Sequence, residues 1–346
     1  MKLIVQIPCY NEEATLAATV ADIPRAIDGI EAVEVLIVDD GSTDRTVEIA
    51  RAAGVDHIIR NTANRGLAPS FARGLQACLE RGADIIVNTD GDNQYDGACI
   101  RDLVRPVVEG RADVVVGDRQ TAQIAHFSPL KKWLQRTGSA LVRSLSGVDV
   151  ADAVSGFRAY SRDAAIATNV MSPFSYTIET LIQAGASGMV VLSVPVRTRH
   201  RTRPSRLFNS IPHFLSRQFV TLIRAYVMYR SLRFFSAIGA VFVVIGALPV
   251  IRFLILFALG AGDGKLQSLF LGGVLILAGV LSFVAALLAD AIAMNRRLLE
   301  ANLTAARRLT LESRADVAER GATSEAEASG KSDGATVATV RLAGRG

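Results

Sequence analysis

Val33 to Asp44 reads VEVLIVDDGSTD: an apolar run interrupted only by Glu34, then two carboxylates, then a turn that begins on glycine. A strand that is apolar at every position rather than every second one is buried on both faces, as in a parallel sheet covered by helices. The pattern recurs in LIVQIP (3–8), HIIR (57–60), ADIIVNTD (83–90) and ADVVVG (112–117). Helical periodicity fills the gaps: 12–28 after Asn11, 43–53 capped by Ser42 or Thr43, 66–81 after Gly66, and 97–109 before Gly110. The expected class is therefore α/β, with a Rossmann-like, mostly parallel sheet.

Ligands of open parallel sheets bind beyond the carboxyl ends of the strands. Here four strand ends carry polar clusters: Pro8 to Glu13, Asp39 to Asp44, Asp90 to Gln94, and Gly117 to Arg119. Asp90 and Asp92 flank one glycine, so both carboxylates can face one crevice, with Gln94 two residues on. Such hard oxygen donors suit Mg²⁺ or Mn²⁺ bridging a diphosphate. Asp39 and Asp40 can hydrogen-bond a base or ribose, Tyr10 can stack on a base, and Glu12 can accept from a ribose hydroxyl. Asp44 reads better as the cap of the following helix.

Mean hydropathy is +0.31, and the excess lies in one region. Residues 234–251 and 268–289 carry no charge, and at ~1.5 Å per residue each reaches about 27 to 33 Å as helix, enough to span a bilayer. A buried hairpin of a soluble core is the alternative. Nine arginines and no acid occur from Arg197 to Arg233, and Arg296, Arg297, Arg307 and Arg308 follow the second run. The charge rule then puts both termini in the cytoplasm. Apolar residues at helical spacing among the arginines of 205–233 suggest amphipathic helix on a membrane surface. The chain opens directly on a strand with no charged leader beyond Lys2, so the catalytic part is expected to stay in the cytoplasm. The net charge of +5 sits around the spans and points to anionic headgroups rather than nucleic acid. Cys9, Cys78 and Cys99 lack metal-ligand spacing and read as structural thiols of a reducing compartment. The expected layout is a catalytic domain (1–200), amphipathic basic helices (201–233), a two-helix anchor (234–294) and a largely disordered tail (295–346).

Five ordered motifs carry a resemblance: Pro8-x-Tyr10-Asn11-Glu12-Glu13, the Val38 to Asp44 run, Asn64-Arg65-Gly66, Asp90 to Gln94, and Asp152-x-x-Ser155-Gly156-Phe157-Arg158. In order and spacing they resemble the family 2 glycosyltransferases of GT-A fold, and among these the polyprenyl-phosphate group typified by dolichyl-phosphate mannose synthase. The resemblance implies that Pro8, Tyr10, Asn11, Glu12, Asp39, Asp40, Asn64 and Gly66 surround the nucleotide. Asp90 would contact ribose or sugar, and Asp92 and Gln94 would ligate the metal. Arg119 and Arg136 would face the diphosphate. Arg158, Arg199, Arg201, Ser205 and Arg206 would face the acceptor phosphate, although Arg203-Pro204-Ser205-Arg206 stands where the group usually has Gly-x-Ser-Lys.

Members of the family that act on a sugar hydroxyl commonly place a Glu-Asp pair at a helix start to supply the general base; here that place reads Ile178-Glu179-Thr180. A phosphate acceptor is already anionic and needs no such base. Processive members carry Gln-x-x-Arg-Trp, whereas Pro129 and Trp133 occupy those end positions here, which disfavours polymer synthesis. The implied reaction is an inverting transfer of one hexose from GDP-mannose or UDP-glucose to a polyprenyl phosphate at the cytoplasmic membrane face. Another lipid or glycan acceptor, an inactive sugar-nucleotide-binding scaffold and a homo-oligomeric assembly stay open.

Overall fold

A computed structural model describes residues 1–120, 138–140, 142–144, 146–171, 176–199, 211–260 and 266–342; side chains of the two long C-terminal helices are described in part, and beyond 314 not at all. Seven strands, β1 (Lys2–Cys9), β2 (Ala32–Asp39), β3 (His57–Arg60), β4 (Ile85–Asn88), β5 (Val114–Asp118), β6 (Arg158–Ser161) and β7 (Val191–Pro195), form one sheet in the order β3-β2-β1-β4-β6-β5-β7. All neighbouring pairs are parallel except those of β6, which runs antiparallel to β4 and β5. The expected sheet is thus present with one reversed strand. Pairing of β1 with β2 runs from Lys2↔Ala32 to Cys9↔Asp39, so the two polar strand ends lie side by side.

Both faces of the sheet are covered, as the apolar runs require. Ile4, Leu36, Val38 and Ile86 pack on one face under α3 (Leu67–Glu80), α5 (Arg162–Ala167) and α6 (Thr177–Ala186). Leu3, Val5, Ile7, Ile37 and Val87 pack on the other under α1 (Leu16–Ala21) and α4 (Ile100–Val108), while α2 (Thr46–Ala52) adds Ala50. Each such side chain, fully removed from water, contributes about 1.5–3 kcal/mol before chain entropy is subtracted.

Helix α1 is much shorter than the 12–28 read from periodicity. Its expected first turn is drawn into a loop in which the Thr15 hydroxyl donates to the Gly91 carbonyl (2.8 Å), and Pro24 prevents extension at the other end. The 97–109 helix divides into a 3₁₀ turn (Gly97–Cys99) and α4.

Helix α7 (Ile211–Ala258) breaks its helical geometry at Arg230 (φ −137°, ψ 40°), and α8 runs Leu266–Leu342. It continues through the stretch for which composition suggests disorder. Arg230–Ala258 and Leu266–Arg314 are long and apolar enough to cross a membrane. The buried-hairpin alternative fails on exposure: Val244 and Leu248 are each 63% exposed and Phe270 78%. The two helices meet backbone to backbone. A Cβ on Gly239 would stand 2.9 Å from the Gly279 carbonyl oxygen, and one on Gly272 2.7 Å from that of Gly246. Small residues at such crossings permit the close approach that packs apolar helices without a hydrophobic driving force.

Candidate active site

The loops after β1, β2 and β4 are laced into one wall. Asn11, at φ 54°, donates its backbone N–H to Ser42 Oγ (2.9 Å) and accepts from the Thr43 N–H through Oδ1 (2.8 Å). Glu12 N–H donates to Thr46 Oγ1 (2.8 Å). Asp44 accepts from the backbone N–H groups of Thr46 (3.0 Å) and Glu13 (3.2 Å), which is the capping arrangement its position suggests. Pro8 lies past the last β1–β4 pair, Gln6↔Asn88, so its missing N–H removes no bond to β4. Tyr10 is half-buried beside it.

The two adjacent aspartates have different jobs. Asp39 is 0% exposed; its Oδ1 accepts from the Ser42 N–H (3.1 Å). Its Oδ2 forms an ion pair with Arg60 Nε at 3.1 Å that lies outside hydrogen-bonding geometry, and it accepts no hydrogen bond among the described residues. Asp40 instead fastens the next loop: it accepts from Asn61 Nδ2 (2.7 Å), Arg65 N–H (2.9 Å) and Gly66 N–H (2.8 Å). Gly66, at φ 96°, starts α3, and Asn64 is exposed on that loop. Gly41 could not be replaced cheaply, since its φ is 74° and a Cβ would fall 2.8 Å from the Ala63 carbonyl carbon.

Gly91 explains the Asp-Gly-Asp spacing. A Cβ there would meet Cys9 Sγ at 3.1 Å and Glu12 Cγ at 3.2 Å, so glycine lets the β4 loop close on the β1 loop without pushing those side chains aside. The Asp92 carboxylate accepts from Gln94, through the backbone N–H (3.2 Å) and Nε2 (2.5 Å). Acids crowd the floor. Burial first, then the negative charges of Glu12, Asp39 and Asp90, hold the Cys9 thiol far above its ordinary range. Cys9 is thereby protonated and inert, and Cys78 and Cys99 are likewise free and buried.

The opposite wall comes from β5 and the loop before β6. Arg119 Nε and Nη2 donate to the two oxygens of Asp152 at 2.6 and 2.9 Å. Burial works against its charge, but Tyr95, Asp152 and Asp90 together raise its pKa above the usual guanidinium range. Tyr95 stacks on Phe157 (4.7 Å between centroids), and burial pushes its hydroxyl pKa up to about 12. Behind Asp90 lies a buried polar chain. Gln6 Nε2 donates to Asn88 Oδ1 (3.0 Å), and Asn88 Nδ2 donates to both Tyr176 Oη and the Gly156 carbonyl (2.8 Å each).

Arg158 departs from the expected place facing acceptor phosphate. It is 0% exposed, and its nitrogens donate to the Ser155 carbonyl (2.9 Å), Thr180 Oγ1 (2.8 Å) and the Ala153 carbonyl (3.0 Å). It shapes the 153–158 loop from inside, because a buried guanidinium must have its donors satisfied. Arg199 sits at the rim: its N–H donates to the Gln94 carbonyl and its guanidinium to Asn93 Oδ1 (2.8 Å each), with Asp22 as ion-pair partner. Thr198 bridges Tyr95, so the basic segment starts against the Asp90 to Gln94 loop. Arg136, Arg201, Ser205, Arg206, Pro129 and Trp133 lie outside the described residues. Nothing in the sequence marks Tyr95, Asn88 and Tyr176 as site-building residues, or Asp152 as the partner of Arg119.

Among the described residues no three His, Cys, Asp or Glu side chains form a metal cage. The donor chemistry of Asp90, Asp92 and Gln94 nevertheless fits a cation that takes its remaining ligands from a diphosphate and water, the usual habit of Mg²⁺.

Residues 4–167 match the family model described as "Glycosyl transferase family 2". The dolichyl-phosphate hexose transferase of Haloferax volcanii is 31% identical over 205 residues, which cover 59% of this chain and 86% of that protein. The chain belongs to glycosyl transferase family 2. The undecaprenyl-phosphate mannosyltransferase of Micrococcus luteus is 26% identical over 206 residues, covering 57% and 83% of the two chains. The family 2 chain also matches the fold of glucosyl-3-phosphoglycerate synthase from Mycobacterium tuberculosis, solved with Mn²⁺, UDP-glucose and phosphoglyceric acid. That match has a TM-score of 0.51 at 22% identity and covers 65% and 79% of the chains. This protein is a glycosyltransferase related to polyprenyl-phosphate mannosyltransferases.

Proposed function

We propose that this glycosyltransferase moves one hexose, with inversion, from a nucleotide-diphosphate sugar to a polyprenyl phosphate at the cytoplasmic face of a membrane. The observation that carries the donor half is the gathering of Asp39, Asp90 and Asp92 at the ends of β2 and β4, the two strands that flank β1, with the β1 loop between them. A fully buried carboxylate oxygen without a hydrogen bond, such as Asp39 Oδ2, suits a donor N–H of the nucleobase. Tyr10, Asn11 and Glu12 form the neighbouring edge for base and ribose, and Asp40 keeps Asn64 and Gly66 in register beside them. Asp90 would accept from ribose or sugar hydroxyls. Asp92 with Gln94 would hold Mg²⁺ or Mn²⁺, which supplies charge neutralisation at the departing diphosphate. Arg119, kept charged and aimed by Asp152, faces the same phosphates, joined in this reading by Arg136.

In the transfer an acceptor phosphate oxygen forms a bond to the anomeric carbon as the bond from that carbon to the β-phosphate oxygen breaks. The electron pair leaves with the nucleoside diphosphate. The state of Glu179 favours a phosphate acceptor. Its buried carboxylate accepts from the Met171 N–H (3.1 and 3.3 Å) and serves the fold, leaving the family's base position without a carboxylate in the crevice. Arg199, with Arg201, Ser205 and Arg206, would receive the lipid phosphate. The two exposed apolar helices anchor the enzyme, and the arginines beside them set its cytoplasmic orientation. GDP-mannose and UDP-glucose are the proposed donors; the names of the relatives support a hexose on a prenyl phosphate.

Asp92→Ala tests the assignment. Transfer should fall below detection while the circular dichroism spectrum and expression level stay those of the wild type; an active Asp92→Ala enzyme would remove the metal role from this loop.

A further inference from the structure

Helix α8 does not stop where its apolar run ends at about residue 289. It continues as one helix to the back of the catalytic domain. Leu303, Arg307, Leu311 and Arg314 recur at i, i+4, i+8 and i+11, one face of a helix. That face is seated. Leu311 is 6% exposed and belongs to the core cluster of Phe71, Leu75, Ala164 and Ile166. Arg307 Nη1 donates to the carbonyls of Ile166 and Thr168, 3.1 Å each, at the end of α5, where helix carbonyls lack intrahelical partners. Ion pairs close both sides: Arg308 to Asp163 (2.7 Å) and Arg314 to Glu80 (2.6 Å).

The seat reaches the crevice through a single rigid element. Glu80, which holds Arg314, is the last residue of α3; the first turn of α3 follows Gly66, whose N–H is held by Asp40. From residue 289 to Arg307 is 18 residues of helix, about 27 Å at ~1.5 Å per residue. The helix thus sets a fixed distance between the apolar span and the domain. The packing beneath it is incomplete: a cavity of about 210 Å³ remains between α3 and α8, edged by Leu75, Gln76, Asn169, Leu303 and Arg307.

We propose that residues 303–314 are a strut that docks the catalytic domain on the second membrane span, and that Arg307 is a positioning residue for transfer to a membrane-embedded acceptor. The proposal rests on the membrane-anchored, lipid-phosphate reading above. The strut holds the crevice at headgroup height, so it governs encounters with a lipid acceptor and not the chemistry at Asp90 and Asp92.

The test uses the full chain in membranes. In the Asp163→Cys/Arg308→Cys variant a short bis-maleimide should join the two introduced thiols in high yield, since the three native cysteines are buried. Adding Arg307→Ala should lower that yield severalfold. In parallel, Arg307→Ala should reduce kcat/KM for a long-chain polyprenyl phosphate in vesicles at least tenfold. With a short, water-soluble isoprenyl phosphate, kcat/KM and the donor KM should change less than twofold, and Arg307→Lys should recover most of the loss. Absent crosslinking would overturn the docking. An equal loss with both acceptors, or no loss with either, would overturn the positioning role. Efficient crosslinking in an enzyme that transfers to neither acceptor would confirm the docking while overturning the acceptor assignment and the positioning role built on it.

Discussion

Gly156→Ala probes how tightly Asp90 is held. A Cβ at this position would fall 2.9 Å from Tyr176 Oη, 3.3 Å from Asp90 Oδ1 and 3.5 Å from Asp90 Oδ2. The tyrosine cannot easily retreat: its ring stacks on Phe71 at 3.7 Å with a 4° tilt, and its hydroxyl receives Asn88 Nδ2 at 2.8 Å. The few tenths of an ångström must therefore come from the loop or from Asp90. Overpacking of this kind costs about 1–3 kcal/mol of stability. If the strain reaches Asp90, kcat should fall by roughly 10- to 100-fold, the order expected for sub-ångström to ångström misplacement of a reacting group. Tyr176→Phe removes the 2.9 Å contact and by itself should cost about 1 kcal/mol, because Asn88 Nδ2 keeps the Gly156 carbonyl. Steady-state transfer kinetics and thermal midpoints of the two single variants and the double variant complete a cycle. The double variant should be more active than Gly156→Ala alone, with a coupling of about 1 kcal/mol or more. Wild-type kcat in Gly156→Ala, or strictly additive effects, would refute the packing argument.

Arg119→Lys should lose at least tenfold in kcat/KM at nearly wild-type stability, because an ammonium cannot make the two-pronged contact with Asp152, whereas Asp152→Ala should cost about 3 kcal/mol by stranding a largely buried guanidinium; chemical denaturation separates the two. Tyr95 should weaken the fold at high pH. Its folded pKa of about 12 lies above the unfolded value near 10, so the unfolded chain loses its proton first and stability falls as pH rises from about 10 to 12, a loss that Tyr95→Phe should reduce but not abolish in alkaline melting curves, because burial raises the Tyr176 hydroxyl as well.

The strands that form the donor wall are readable because their chemistry is local. Ile4, Val38 and Ile86 sit in uniformly apolar runs, and Asp39, Asp90 and Asp92 follow where such runs must end. Strand β6 is hidden because it is four residues long and begins on Arg158, a residue type that signals surface until its partners at Ala153, Ser155 and Thr180 are known. The same burial moves Arg158 from the acceptor site into the loop's interior. Adjacent Asp39 and Asp40 look equivalent in sequence; only the fold shows Asp40 held by the Arg65 and Gly66 amides while Asp39 Oδ2 stays without a hydrogen bond. Arg119 and Asp152 are 33 residues apart, and nothing local announces their pairing. Helix α1 is overestimated because Thr15 and Thr19 bond the Gly91 carbonyl, a contact with a loop more than seventy residues away.

The central claim is transfer of a hexose to a lipid phosphate, and one assay addresses it directly. Membranes containing the protein would be incubated with radiolabelled GDP-mannose, UDP-glucose or UDP-N-acetylglucosamine, with and without EDTA, and the extracted lipid treated with mild acid. The account predicts label in a lipid whose formation EDTA suppresses and from which mild acid releases the sugar. Label in an acid-stable lipid or a polymer would contradict the phosphate acceptor, and no label from any donor would contradict the transferase reaction proposed here.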